Sequence, residues 1–186
     1  MEPAPSFLDF EASSLSPQSY PIEVAWNLAD GSIESYLISP RDIDAWTEWD
    51  PEAELIHGIP RNELLASGYP PSTVCGFAIQ SLADRTLYSD APSYDGMWLA
   101  KLFSVCPGPR PTIQIRHVDE LLIQILSPDG LRTANASART QALAKIAALK
   151  IEARKQKPRR HRAAWDVEYL FCLWQLAKLD AGSLTG

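Results

Sequence analysis

Two carboxylates two residues apart, Asp9 and Glu11, interrupt the otherwise apolar stretch Ser6-Phe7-Leu8-Asp9-Phe10-Glu11-Ala12. Side chains two apart in an extended strand share a face. Both acids therefore project side by side, with Leu8 and Phe10 on the opposite face. Like charges held that close in a partly dry site raise each other's pKa. A cation between them relieves the repulsion. The chemistry such a pair can support is binding of a hard divalent cation through oxygen. Taken alone, the pair also fits a solvated strand face.

Later acidic groups bear on the choice. Asp95 follows Ser93-Tyr94 near the start of a helical pattern, and Asp90 lies just before it. His161-Arg162-Ala163-Ala164-Trp165-Asp166 comes late in the chain. On one helix, His161 and Asp166 would be rotated apart by roughly 140°. Pro158 and the dense charges around it instead place His161 on a flexible lead-in, with Asp166 fixed on the helix that follows. That division suits a proton acceptor beside a metal ligand. His57 reads as a turn or packing residue.

These residues need a scaffold, and the hydrophobic pattern supplies one. Strands are expected at Ser6–Ser13, Pro21–Leu28, Ser32–Ser39, Thr86–Ser89 and Thr112–Val118, with a tight turn at Ala29-Asp30-Gly31-Ser32 joining the second and third. Pro40–Pro60 reads as polar and irregular, with a short apolar island at Leu55–Ile59. Helices are expected at Arg61–Ser67, Pro71–Arg85 (Ser72 as cap), Ser93–Val105 and Asp119–Leu126 (capped by Asp119). After Pro128-Asp129-Gly130, two more run from Ala134 to Lys157 and from Ala163 to Leu179. Their apolar faces are read as Leu143, Ile146, Ala147 and Ile151 on the first, and Val167, Leu170, Phe171, Trp174 and Leu176 on the second. Three antiparallel strands followed by helix–strand alternation predict an α/β fold: one five-stranded mixed sheet with helices on both faces.

A chain of 186 residues, 46% hydrophobic and 22% charged, suits one soluble domain spanning 1–186. Its net charge of −6 makes bulk attraction to nucleic acid an unsuitable explanation of any binding. No apolar run is long enough to span a bilayer, and Met1-Glu2-Pro3-Ala4-Pro5 lacks the pattern of a signal peptide. Cys75, Cys106 and Cys172 are widely spaced and form no zinc-like pattern, so reduced buried thiols in a cytoplasmic protein are expected. Trp46 and Trp49, in a polar segment, are expected to be exposed and to mark a contact surface.

The order Asp9-x-Glu11, Ser93-Tyr94-Asp95 and His161-x4-Asp166 resembles the DnaQ-like 3′–5′ exonucleases, specifically the DEDDh branch, within the ribonuclease H-like superfamily. Pro21-Ile22-Glu23-Val24-Ala25 is similar to that family's second strand. His57-Gly58-Ile59-Pro60 is similar to its short His-Gly-Ile segment. The resemblance covers nearly the whole chain. One departure stands out: the second motif usually carries His-Asn where this chain has Asp90-Ala91, and Pro92 stiffens the turn instead.

The resemblance implies two divalent cations, Mg²⁺ or Mn²⁺, held by Asp9, Glu11, Asp95 and Asp166, with Asp9 bridging and His161 as general base. It implies hydrolysis of single-stranded DNA or RNA from the 3′ end to nucleoside 5′-monophosphates. By position, Ala12, Ser13, Ser14 and Leu15 face the terminal nucleotide, with Leu15 as a wedge against its base. Trp98 either stacks on a base or ribose or packs on the helix beneath it. Arg154, Lys155, Lys157, Arg159, Arg160 and Arg162 form a basic run beside His161. Arg160 and Arg162 in particular are placed to track phosphates, the alternative being a solvated helix end. A non-catalytic binding module and a polymerase-associated proofreading or accessory subunit are the rival readings. The apolar final helix either supports a homodimer or covers the sheet.

Overall fold

The architecture is taken from a computed structural model that describes residues 3–108, 111–127, 136–158 and 160–182. The expected turn at 128–130, the helix start at 134–135 and Arg159 lie outside those residues. Five strands are present: β1 (Ser6–Ala12), β2 (Pro21–Asn27), β3 (Ile33–Leu37), β4 (Thr86–Ser89) and β5 (Gln114–His117). Seven helices are described: α1 (Pro51–His57), α2 (Arg61–Ser67), α3 (Pro71–Leu82), α4 (Pro92–Ser104), α5 (Val118–Leu126), α6 (Ala136–Gln156) and α7 (Ala163–Gly182). The sheet order is β3-β2-β1-β4-β5. β1, β2 and β3 pair antiparallel, whereas β4 lies parallel to both β1 and β5.

The pleat of β1 divides the core. Leu8, Phe10 and Ala12 join a cluster with residues of β2, α3 and α4, including Trp26, Leu82 and Leu102. Phe7 points the other way, into a cluster built on α5, α6 and α7 with Val118, Ile146, Leu170 and Leu173. Helices thus cover both faces, and Asp9 and Glu11 share the parity of Phe7. The predicted turn holds the β2–β3 hairpin. Gly31 adopts φ +87°, and Asp30 accepts hydrogen bonds from the Ser32 main-chain N–H and hydroxyl.

Several expectations require correction. The segment before Pro60 is not wholly irregular, because α1 occupies Pro51–His57. Asp50 caps it by accepting from Glu52 N at 2.9 Å, Pro51 opens it, and Gly58 closes it in the left-handed region at φ +66°. Trp46 is buried and stacks on Tyr20 with ring centroids 5.3 Å apart, so it is not exposed. Trp49 is half-buried and donates its indole N–H to Glu54 at 2.6 Å. Cys75 and Cys106 are not reduced thiols: they form a disulfide joining α3 to the segment after α4, leaving Cys172 as the free cysteine.

Other corrections concern caps and helix faces. α3 starts directly at Pro71 with no side-chain cap from Ser72, and α5 is capped by His117, which accepts from Asp119 N. The buried side of α6 runs through Ala142, Ile146 and Ala153, while Leu143, Ala147 and Ile151 are exposed. On α7 the fully buried positions include Leu173 and Ala177, with Phe171, Trp174 and Leu176 only half-buried. No described helix is long and apolar enough to cross a membrane.

Candidate active site

The parallel pairing of β1 with β4 brings the carboxyl ends of both strands to one place, where open α/β sheets commonly bind ligands. Asp9 and Glu11 emerge there from β1. Asp95 arrives on the first turn of α4, directly after β4, and Asp166 on the first turn of α7. His161 precedes α7, with its backbone in the left-handed region at φ +48°. All five line one cavity of about 270 Å³. Ligand atoms of Asp9, Glu11 and Asp166 lie within 4.8 Å of one another.

The field in this cavity is negative. Burial pushes the Asp9 carboxyl well above the usual carboxylate range, and Asp95, Glu11, Asp166 and Asp90 push it further. Burial likewise drives Asp95 up to about 7, with the Asp90 charge adding to it. Hydrogen bonds from the Ser89 hydroxyl and the Phe10 main chain oppose that rise. The same Ser89 hydroxyl accepts from Ala91 N at 2.8 Å, which ties the second motif to the end of β4. Crowded carboxylates that resist ionisation, with oxygen as the donor set, fit a hard divalent cation. The donor set therefore suits the implied metals.

One cation is already built in. Arg154, on α6, donates to one oxygen of Asp166 at 3.2 Å, and its guanidinium lies over the Tyr169 ring at 3.4 Å. That contact fixes the orientation of the carboxylate. No periodicity points to it, since α6 and α7 meet only in the folded chain.

The expected nucleotide-facing residues divide. Ala12, Ser14, Leu15 and Trp98 line the cavity. Leu15 is 68% exposed where it lines the cavity. Trp98 is 5% exposed, stacks on Tyr94 and donates to the Ser19 hydroxyl at 2.9 Å. Lys101, one turn further along α4, donates to the Gln18 and Ser19 carbonyls. α4 thus anchors the loop after β1 while presenting Asp95. Ser13 is buried and turns away to brace the loop, accepting from Tyr20 N at 3.1 Å.

Arg160 and Arg162 do not line the cavity. Arg160 stacks on Trp165 at 4.4 Å, and Arg162 is engaged bidentately by Glu23 at 3.0 and 2.8 Å. Lys155 and Lys157 pair with Glu152 and Glu168. Much of the basic run is thus matched by acids distant in sequence or one turn away.

Two residues are more involved than the sequence indicated. His57 is 4% exposed and lines the cavity. Its Nδ1 accepts from Ile59 N at 3.0 Å, so the neutral ring carries its proton on Nε2, which has no protein partner among the described residues. Burial lowers its pKa and keeps it neutral. Ile56, from the apolar island, is 56% exposed beside it.

The order of the sheet, with helices on both faces, makes a ribonuclease H-like fold. Solved structures with this fold include the zinc-bound Escherichia coli exonuclease I–single-stranded DNA complex (TM-score 0.65, 16% identity, 100% of this chain and 42% of that one). They also include E. coli exonuclease I with a dT13 oligonucleotide (TM-score 0.62, 18% identity, 98% and 43%). A third is exonuclease I from Methylocaldum szegediense (TM-score 0.59, 16% identity, 96% and 42%). The chain therefore spans less than half the length of these exonucleases. No protein-family model matches the sequence, and no curated protein matches it.

Proposed function

We propose that this chain is a metal-dependent 3′–5′ exonuclease that removes nucleoside 5′-monophosphates from the 3′ end of a single strand. The observation that carries the reading is the convergence of Asp9, Glu11, Asp95, Asp166 and His161 on one cavity. The fold shared with exonuclease I, solved as complexes with single-stranded DNA, supports that reading and favours DNA as the substrate.

Asp9, Glu11, Asp95 and Asp166 would hold two divalent cations, Mg²⁺ or Mn²⁺. Bound there, such ions supply Lewis-acid stabilisation of the phosphoryl charge and a more acidic water. His161 takes the proton of the attacking water on its imidazole. The water oxygen bonds to phosphorus as the bond to the 3′ oxygen breaks. The nucleoside 5′-monophosphate leaves, and the shortened strand keeps a 3′-hydroxyl. Leu15 sits against the terminal base, and Trp98, packed on Tyr94, forms the apolar wall beside it. Ala12 and Ser14 line the approach. Arg160 lies outside the cavity, where it can meet the phosphates of the preceding nucleotides.

The test is incubation of the pure protein with 5′-labelled DNA and RNA oligonucleotides and Mn²⁺. A ladder of shortened products, absent for Asp9→Ala, is expected. No shortening of either polymer, with no Mn²⁺ bound by calorimetry, would turn the reading towards a non-catalytic binding module. Activity that appears only with an added polymerase would make the chain an accessory subunit.

A further inference from the structure

We propose that Glu23 is a positioning residue for His161 that acts through Arg162, and that Arg162 is a latch rather than a phosphate ligand. The proposal rests on the exonuclease reading for the role of His161.

A carboxylate is out of place in the middle of β2, where every residue is buried. Glu23 is 2% exposed and pairs in register with Glu11 of the cavity, so its burial needs full compensation. It receives four hydrogen bonds. Oε2 accepts from Arg162 Nε at 3.0 Å and from Ala163 N at 3.0 Å. Oε1 accepts from Arg162 Nη2 at 2.8 Å and from the Ser35 hydroxyl at 3.2 Å. Three of the four come from the two residues directly after His161. The bidentate fork fixes direction as well as distance.

His161 itself has φ +48°, a conformation that a non-glycine residue keeps only when its surroundings enforce it. The latch provides that enforcement on the C-terminal side. The Arg162 carbonyl then accepts from Trp165 N at 2.9 Å and Asp166 N at 3.1 Å, so the same residue starts α7. A carboxylate at that helix start also suits its dipole. Glu23 thus registers the general base and Asp166 against the strand that pairs with β1. The buried carboxylate holds this guanidinium in place and offsets its charge, which weakens its pull on a phosphate.

Three variants test this, Arg162→Met, Arg162→Lys and the double variant Glu23→Gln/Arg162→Met. Arg162→Met alone leaves Glu23 buried without its charged partner, so the double variant, which strands no charge, keeps the test readable if the single variant does not fold. The chain has three histidines, so imidazole NMR resolves each ring. For Arg162→Met, the expected result is a fall in kcat of about tenfold or more. KM, oligonucleotide affinity measured with Ca²⁺ in place of Mn²⁺, and its salt dependence stay as in the parent. The His161 resonances shift and broaden while those of His117 hold, and Arg162→Lys recovers part of the lost rate.

Weaker oligonucleotide binding, with a salt slope reduced by about one and an unmoved His161 signal, would overturn the proposal in favour of a phosphate contact. A lower Tm with kcat and the His161 signal both unchanged would overturn it in favour of a purely structural pair. If the parent protein cuts no oligonucleotide, the exonuclease reading fails by itself, and the His161 resonances still decide whether the latch holds that ring.

Discussion

The guanidinium of Arg154 lies 3.2 Å from Asp166 Oδ1, while a carboxylate oxygen of Asp166 lies within 4.8 Å of ligand atoms of Asp9 and Glu11. One acid thus contacts a built-in cation and belongs to the candidate metal position, and Arg154 orients it. Replacing Arg154 with Met is expected to weaken Mn²⁺ binding by roughly 10–100-fold, the usual effect of losing a partner that orients a ligand. Titration calorimetry measures this. Tighter binding in the variant would mean that Arg154 competes with the metal.

Asp9 sits in unfavourable electrostatics, through burial and four neighbouring acids. Asp9→Asn removes a charge that the metal-free fold tolerates poorly. In EDTA the variant should therefore melt at a higher temperature than the parent. With Mn²⁺ at a hundred times its Kd, the parent should gain about 2.7 kcal/mol and the variant almost nothing. Equal Tm shifts for the two proteins on adding Mn²⁺ would exclude Asp9 as a ligand.

Asp95 sets a pH dependence. Its folded-state pKa, pushed up to about 7 from 3.8, means that the folded chain holds a proton which the unfolded chain releases. Metal-free stability from this group is therefore fully present at acid pH and is lost as pH rises from about 4 to about 7. Asp9 acts in the same direction. Cations compete with those protons, so Mn²⁺ affinity should climb over the same window. Urea unfolding in EDTA and calorimetry, each at pH 5 and pH 8, read the two trends. Metal binding independent of pH would contradict the shared site.

The Cys75–Cys106 bridge joins residues 31 apart in sequence and closes a loop that includes β4 and all of α4. Chain-entropy reasoning gives such a crosslink about 4 kcal/mol. Cys106→Ser and reduction of the parent should each lower unfolding stability by that order. Adding reductant to the variant should change nothing further. Urea curves with and without reductant check this, and a parent indifferent to reductant would show that the bridge does not form in solution.

Much of the fold was legible because local pattern and global structure agree. The alternation in β1 and β2, the Asp30-Gly31 turn and the helix at α4 follow from side-chain period and turn chemistry. α1 was missed because an apolar island of few residues has no clear period, although Asp50-Pro51 and Gly58 carried start and stop signals. Trp46 was misread for the opposite reason. Its segment is polar, yet the ring finds Tyr20, a residue distant in sequence. The faces of α6 and α7 were only partly read because apolar residues surround both helices, and their neighbours choose which side is buried.

The sequence by itself determined the local placement of the candidate residues: Asp9 and Glu11 on one face of a strand, Asp95 and Asp166 in the first turns of helices, and His161 just ahead of one. Spacing within a strand or helix turn fixes such directions without reference to the rest of the chain. Only the tertiary structure decided which charges remain available to a ligand. Arg162 and Arg154 both read as members of one basic run, and the fold sets Glu23 of β2 against the first and Asp166 of α7 against the second. Those pairings join residues far apart along the chain, and a buried charge selects its partner by proximity in the fold, which local pattern does not encode.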